Sequence, residues 1–172
     1  MPNWSARAQA VGAREAPAAE CLPLLSALWA SGPLVPALDD AAWTRLAARL
    51  HFVRVRAGCT LIEQDEPGDF LLVLLDGSVR VEHRGREGAV GLSEARPGDV
   101  LGEMALLDAG PRSSACLTRT DCLLAVLEMP ALEALMRDEP HLAASLMAAL
   151  ARRLSLRLRQ TDARLLALLS EG

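Results

Sequence analysis

A single stretch of the chain gathers the residue types that hold an anion and a hydroxyl together: Gly102-Glu103-Met104-Ala105-Leu106-Leu107-Asp108-Ala109-Gly110-Pro111-Arg112-Ser113-Ser114-Ala115, preceded by Arg96-Pro97-Gly98-Asp99. It follows an expected strand end. Gly102 lets the backbone come close to a ligand, and Met104 to Leu107 suit one helical turn whose free N–H groups face an anion. Glu103, at the start of that turn, accepts from a hydroxyl. Arg112 stands nine residues on, brought back by Gly110-Pro111, and offers a planar fork to two phosphate oxygens. One acid and one arginine so placed suit a sugar phosphate. A blander use stays open, in which Glu103 caps the turn and Arg112 pairs with it or with solvent.

Other chemistries find few residues. Cys21, Cys59, Cys116 and Cys122 include no C-x-x-C pair and sit mainly in apolar or Ala-rich runs, as buried thiols do, so neither a disulfide framework nor a zinc site is expected. His51, His83 and His141 show no H-x-x-x-H or H-E-x-x-H spacing, and no metal is expected. Ser113 and Ser114 have no histidine close in sequence, so a non-enzymatic role is the expectation. The formal charge is −4, with 18 arginines and no lysine. Five of them, against Asp162 alone, fall between Arg152 and Arg164, which on a long helix reads as a solvated face before a nucleic-acid surface.

These residues must be positioned by a chain of 172 residues, 51% apolar, with a mean hydropathy of +0.20, which is enough for one domain with an ample core. No uncharged apolar run reaches the ~18 residues of a membrane span, and the N-terminus lacks a basic segment followed by an apolar one. A cytoplasmic protein without membrane contact is expected. Residues 1–20 mix Ala, Pro and Gly with charges and predict a mobile arm. Residues 21–50 predict helices: Leu24, Leu25, Leu28 and Trp29 form one stripe, Gly32-Pro33 a break, and Asp39 or Asp40 the cap of a second helix carrying Trp43, Leu46, Ala47 and Leu50.

Over residues 51–128 short apolar runs alternate with glycine breaks, the pattern of a sandwich or barrel. Asp76-Gly77 between two such runs predicts a hairpin pairing the flanking strands. Residues 130–169 return to helix, with Pro140 in the first turn of a long one. Along it Met147, Ala151, Leu154, Leu158, Thr161, Leu165 and Leu168 recur at spacings of four and three, the seam of a homodimer, or else a face packed on its own barrel.

The segment 102–115 resembles the phosphate-binding cassette of the cyclic nucleotide-binding domain family, G-E-x-A-L followed by a short loop and P-R-x-[AS]. This family includes the regulatory domains of bacterial catabolite activators and of protein kinase A. Ala57-Gly58, Gly68-Asp69, Asp76-Gly77-Ser78-Val79 and Pro97-Gly98-Asp99 resemble its other glycine landmarks in order and spacing. The resemblance implies a mainly β, α+β fold: an eight-stranded, jelly-roll-like β-roll with N-terminal helices and a long C-terminal helix, residues 50–169 forming one nucleotide-binding domain. It implies that Glu103 holds the ribose 2'-hydroxyl, Arg112 the cyclic phosphate, and Gly102, Met104, Ala105, Ser113 and Ser114 the contacts around them.

Two departures from the family pattern stand out. Ser114 replaces a common Ala, and no aromatic residue follows Phe70, so the lid over the base must be aliphatic or charged. Arg157-Leu158 stands where relatives that read the base directly carry Thr-Ser. The functional expectation is a cyclic-nucleotide sensor, for cAMP in preference to cGMP, that dimerises through residues 141–169 and acts on an unknown protein effector. The segment 130–140 and the helix behind it are expected to swing toward the cassette. The chain ends at Gly172 without a helix-turn-helix, so no direct DNA binding is expected. The alternative is a dimerisation scaffold that binds no nucleotide.

Overall fold

A computed structural model of the chain describes residues 3–29 and 34–170. Elements follow in the order α1 (Trp4–Ala10), β1 (Arg14–Glu15), α2 (Ala18–Leu28), α3 (Asp40–Ala47), β2 (His51–Val55), β3 (Thr60–Ile62), β4 (Phe70–Asp76), β5 (Val79–Gly85), β6 (Gly88–Ala95), β7 (Val100–Leu101), α4 (Glu103–Asp108), β8 (Ala115–Thr118), β9 (Cys122–Glu128), α5 (Met129–Asp138) and α6 (Pro140–Ser170). One sheet has the order β1-β2-β9-β4-β7, the other β3-β8-β5-β6, and every strand pair is antiparallel. Strands β2 to β9 are the eight of the expected roll, and β1 is an addition to its edge.

The central strands β4 and β9 read as unbroken apolar runs because both of their faces are covered. Phe70, Leu72 and Leu74 of β4, with Cys122, Leu124 and Val126 of β9, point into the roll. The alternate residues Leu71 and Leu127 pack on α3, α5 and α6, while Leu75, Leu123 and Ala125 pack on α2. Asp39 caps α3 by accepting the Ala42 N–H at 2.7 Å, as its position predicts, and Pro140 opens α6. The break at Gly32-Pro33 and the chain end at Gly172 lie outside the described residues.

Two expectations are corrected. Asp76-Gly77 does not close a hairpin: β4 is flanked by β9 and β7, and β5 by β6 and β8, so the turn carries the chain from one sheet to the other. Its glycine is still required, since Gly77 has φ +95° and a Cβ there would lie 2.4 Å from the Asp121 carbonyl oxygen. The hairpin of this region is β5–β6, closing at Gly85 and Gly88.

The N-terminal segment is folded rather than an arm. Asn3 caps α1 through the Ala6 N–H, Trp4 is 4% exposed inside the roll, and Arg14-Glu15 pair with Arg54 and Val53. One large anchor in an Ala-rich stretch leaves no periodic apolar face, yet burying a single indole removes a large apolar area from water.

Candidate functional site

The cassette begins where β7 ends. Gly102, at φ +76°, turns the chain into the six-residue helix α4, and Ala109, at φ +56°, turns it out again, with the Gly110 N–H donating to Asp108 Oδ1 at 2.9 Å. The returning strand of the loop is fixed on both sides of Arg112: its N–H donates to the Glu66 carbonyl, and its own carbonyl accepts the Asp65 N–H, each at 2.9 Å.

Arg112 points inward and is 2% exposed. Nη1 donates to the Gly102 carbonyl at 2.6 Å and Nη2 to the Phe70 carbonyl at 2.8 Å, while Cζ stands 4.5 Å over the centre of the Phe70 ring. Two glycines make this path. A Cβ at Gly68 would lie 2.0 Å from Arg112 Nε, and one at Gly102 would lie 2.4 Å from Nη1. Burial lowers the guanidinium pKa, and the nearby Glu66, Asp69 and Glu103 carboxylates oppose the shift. No carboxylate reaches ion-pair distance of Arg112 among the described residues, so its charge rests on carbonyl dipoles and the ring face. Its Nε is buried without a hydrogen-bond partner. A buried donor with no acceptor beside an uncompensated positive charge is suited to an anion's oxygen, a charge-assisted bond worth roughly 1.5–3 kcal/mol.

Glu103 is the opposite pole, 3% exposed. Its Oε1 accepts from Arg157 Nη1 of α6 at 3.1 Å. Burial pushes the carboxyl above its ordinary pKa, and its own backbone N–H, Arg157 and Arg112 pull it back. Because Arg157 is half exposed, its pairing is weak and exchangeable by comparison with Glu103's need for a partner. The last helix, expected to swing toward the cassette, touches it in this structure through Arg157.

The two poles line one cleft of about 30 Å³, room for little more than a water or two, together with Gly102, Met104, Ala105, Ser113 and Ser114. All seven residues expected from the sequence thus meet in one place, though by different means. Met104 is half exposed, Ala105 buried, and the exposed Ser113 receives His83 Nδ1 at its carbonyl, 3.2 Å away. Cys116 forms part of the wall, its thiol pushed by burial up to about 12 and so kept neutral.

Val81, Leu101, Glu103 and Arg157 also line a second, larger cleft of about 520 Å³ between the roll and α6, within the ~300–1,000 Å³ of small-molecule sites. Its helix side presents Arg153, Arg157, Gln160, Thr161 and Arg164, and its strand side Ser93 and Glu94.

Sequence reasoning did not single out Gly68, Phe70 or Trp4 as parts of this site, and it placed Arg157 at the base position without the contact to Glu103. Gly68 stands out as a landmark, but nothing local shows that it faces a side chain 44 residues away. Trp4 makes a T-shaped contact with Phe70, the ring that Arg112 covers, with centroids 5.3 Å apart at 68°.

Known proteins resemble this chain in sequence and in fold. The sequence profile of the cyclic nucleotide-binding domain matches residues 52–139. A "CRP-like cAMP-activated global transcriptional regulator" of Mycobacterium tuberculosis is 31% identical over 118 residues, 68% of this chain and 53% of that protein. A "cAMP-dependent protein kinase regulatory subunit" of Aspergillus fumigatus is 35% identical over 95 residues, 55% of this chain and 22% of that protein. The chain thus spans about half the length of the first and under a quarter of the second. The crystal structure of a cyclic nucleotide-binding domain from Methylobacillus flagellatus superposes with a TM-score of 0.77 at 26% identity, covering 87% of this chain and 83% of that one.

Proposed function

The chain belongs to the cyclic nucleotide-binding domain family, and from that premise we propose that it is a non-catalytic cyclic-nucleotide sensor, taking cAMP in preference to cGMP and passing its state to a protein effector. The observation that carries this reading is the buried pair of opposite charges in one cleft, Arg112 with an unpartnered Nε and Glu103 with an exchangeable partner. Arg112 would take the cyclic phosphate and Glu103 the ribose 2'-hydroxyl, with Gly102, Met104, Ala105, Ser113 and Ser114 around them. The base would extend into the larger cleft, which shares Glu103 and Arg157 with the first in its lining. The cAMP preference follows the two relatives named above, whose names carry cAMP; a "cGMP-dependent protein kinase egl-4" of Caenorhabditis elegans, 39% identical over 79 residues, keeps cGMP as the competing ligand.

The movable part in this proposal is α5 with α6, whose hold on the cassette is the Arg157–Glu103 contact. A ligand that binds one arrangement of α6 tenfold better biases it by about 1.4 kcal/mol. We assign α6 a second role as the contact of a homodimer. From Ser155 to Ser170 every described residue of the helix is exposed, including Leu158, Leu165 and Leu168 of the expected seam. Among the described residues no helix is long and apolar enough to cross a membrane, and a cytoplasmic location without direct DNA contact is part of the proposal.

A second reading, a roll kept as a dimerisation scaffold, is favoured by one observation: Arg112 finds carbonyl partners and Glu103 finds Arg157 within the protein itself. Calorimetric titration of protein refolded from denaturant separates the two. Saturable heat with cAMP, weaker with cGMP and lost in Arg112→Ala, is the expected result. Folded protein that gives no heat with cAMP, cGMP or cyclic di-GMP establishes the scaffold.

A further inference from the structure

Helix α1 lies outside the residues matched to the family, 52–139, yet two of its side chains reach Arg112 by separate routes. The first passes through rings. Trp4 and Phe70 meet in a T-shaped contact with ring centroids 5.3 Å apart, and the Arg112 guanidinium lies over the same Phe70 ring, 4.5 Å from its centre. Phe70 is 1% exposed, so the indole packed on it helps to set the plane of a ring that has little freedom of its own. The second passes through the loop between β3 and β4. Arg7 Nη2 donates to both carboxylate oxygens of Glu66, at 2.7 and 2.5 Å, and Oε1 of Glu66 also accepts the Glu63 N–H. The turn so closed presents the Glu66 carbonyl and the Asp65 N–H that hold the Arg112 backbone.

We infer that α1 is a positioning element of the anion site, with Trp4 orienting the Arg112 guanidinium through Phe70 and Arg7 orienting its backbone through Glu66. The inference rests on Arg112 being the phosphate ligand, and it adds to that reading an element from outside the matched domain. Neither Trp4 nor Arg7 lines the cleft. By linkage the influence runs both ways: what loosens α1 weakens nucleotide binding, and nucleotide on Arg112 steadies α1. The helix is then a second place, besides α6, where binding is felt.

The full chain is titrated calorimetrically with cAMP as wild type, Trp4→Phe, Trp4→Leu and Arg7→Gln, with folding of each followed by circular dichroism. Loss of the ring in Trp4→Leu is expected to weaken binding about tenfold, Trp4→Phe to stay within about twofold, and Arg7→Gln to weaken it about threefold. Amide exchange over residues 4–10 is expected to slow on addition of cAMP in wild type and not in Arg112→Leu. Variants that melt earlier but bind cAMP within twofold of wild type, with no change in exchange, make α1 a structural seal only and overturn the inference. Should Trp4→Leu not fold, Arg7→Gln and the exchange measurement decide. A wild type that binds neither cAMP nor cGMP overturns the reading of Arg112 itself, a result visible before any variant is made.

Discussion

The two halves of the cleft solve opposite problems. The cassette half measures about 30 Å³ and holds two charged groups, each at least 97% buried, whereas the half between roll and α6 measures about 520 Å³ and presents its charges from a solvent-exposed helix. A buried charge without partners costs several kcal/mol. The cassette therefore folds onto itself: Arg112 takes two carbonyls and a ring face, and Glu103 takes Arg157. On the helix side Arg164 keeps water, while Arg153 donates to the Leu28 carbonyl and Arg157 to Glu103. Recognition concentrated in the tight half would be set by geometry fixed in the fold. Selectivity in the wide half would be left to α6 and whatever packs beside it.

The largest effect that tests this contrast is at Arg112. Arg112→Ala is expected to weaken cAMP binding by a hundredfold or more in calorimetry, since it removes the only fully buried cation in the cassette cleft among the described residues. Gly68→Ala comes next, because its Cβ would meet Arg112 Nε at 2.0 Å. It should lower stability by about 2–3 kcal/mol in denaturant unfolding and weaken binding about tenfold, by displacing a guanidinium it does not chemically alter. If Gly68→Ala binds normally, the inward path of Arg112 is not needed for function.

Glu103 sharpens the comparison through pH. Burial raises its folded pKa above its unfolded one, so its contribution to stability is present at acid pH and is lost as pH rises through that raised value. Glu103→Gln carries no such dependence. Its stability relative to wild type should therefore be higher at pH 7 than near pH 4, as followed by unfolding across that range. Arg157→Leu, which removes the carboxylate's partner, should enlarge the pH 7 deficit of the wild-type background. The smallest effects belong to the wide half: Arg164→Ala and Gln160→Ala are each expected to change cAMP affinity by less than about threefold. A tenfold loss there would move recognition out of the cassette.

Much of the fold was legible. The change from helical period to short glycine-punctuated apolar runs marked the roll. Partner choice was not legible. Asp76-Gly77 has the residues of a hairpin turn, and only the occupied edges of β4 and β5 show that it joins two sheets. At the site, Glu103 and Arg112 stood out because a hydroxyl and an anion call for these residue types at short spacing. Trp4 did not, and Gly68 stood out only as a landmark, because their packing partners lie across the roll, in Phe70 and in Arg112.

By itself, then, the amino-acid order determined which residues are candidates to carry the chemistry and that glycines punctuate the roll, since both follow from local composition and spacing. Tertiary structure alone decided that Arg112 turns inward past Gly68 and Gly102, that Arg157 is the one to meet Glu103, and that an N-terminal helix packs on Phe70 and Glu66. Each of these joins residues dozens of positions apart, and such pairings are selected by how packed surfaces close around buried charge rather than by any pattern along the chain.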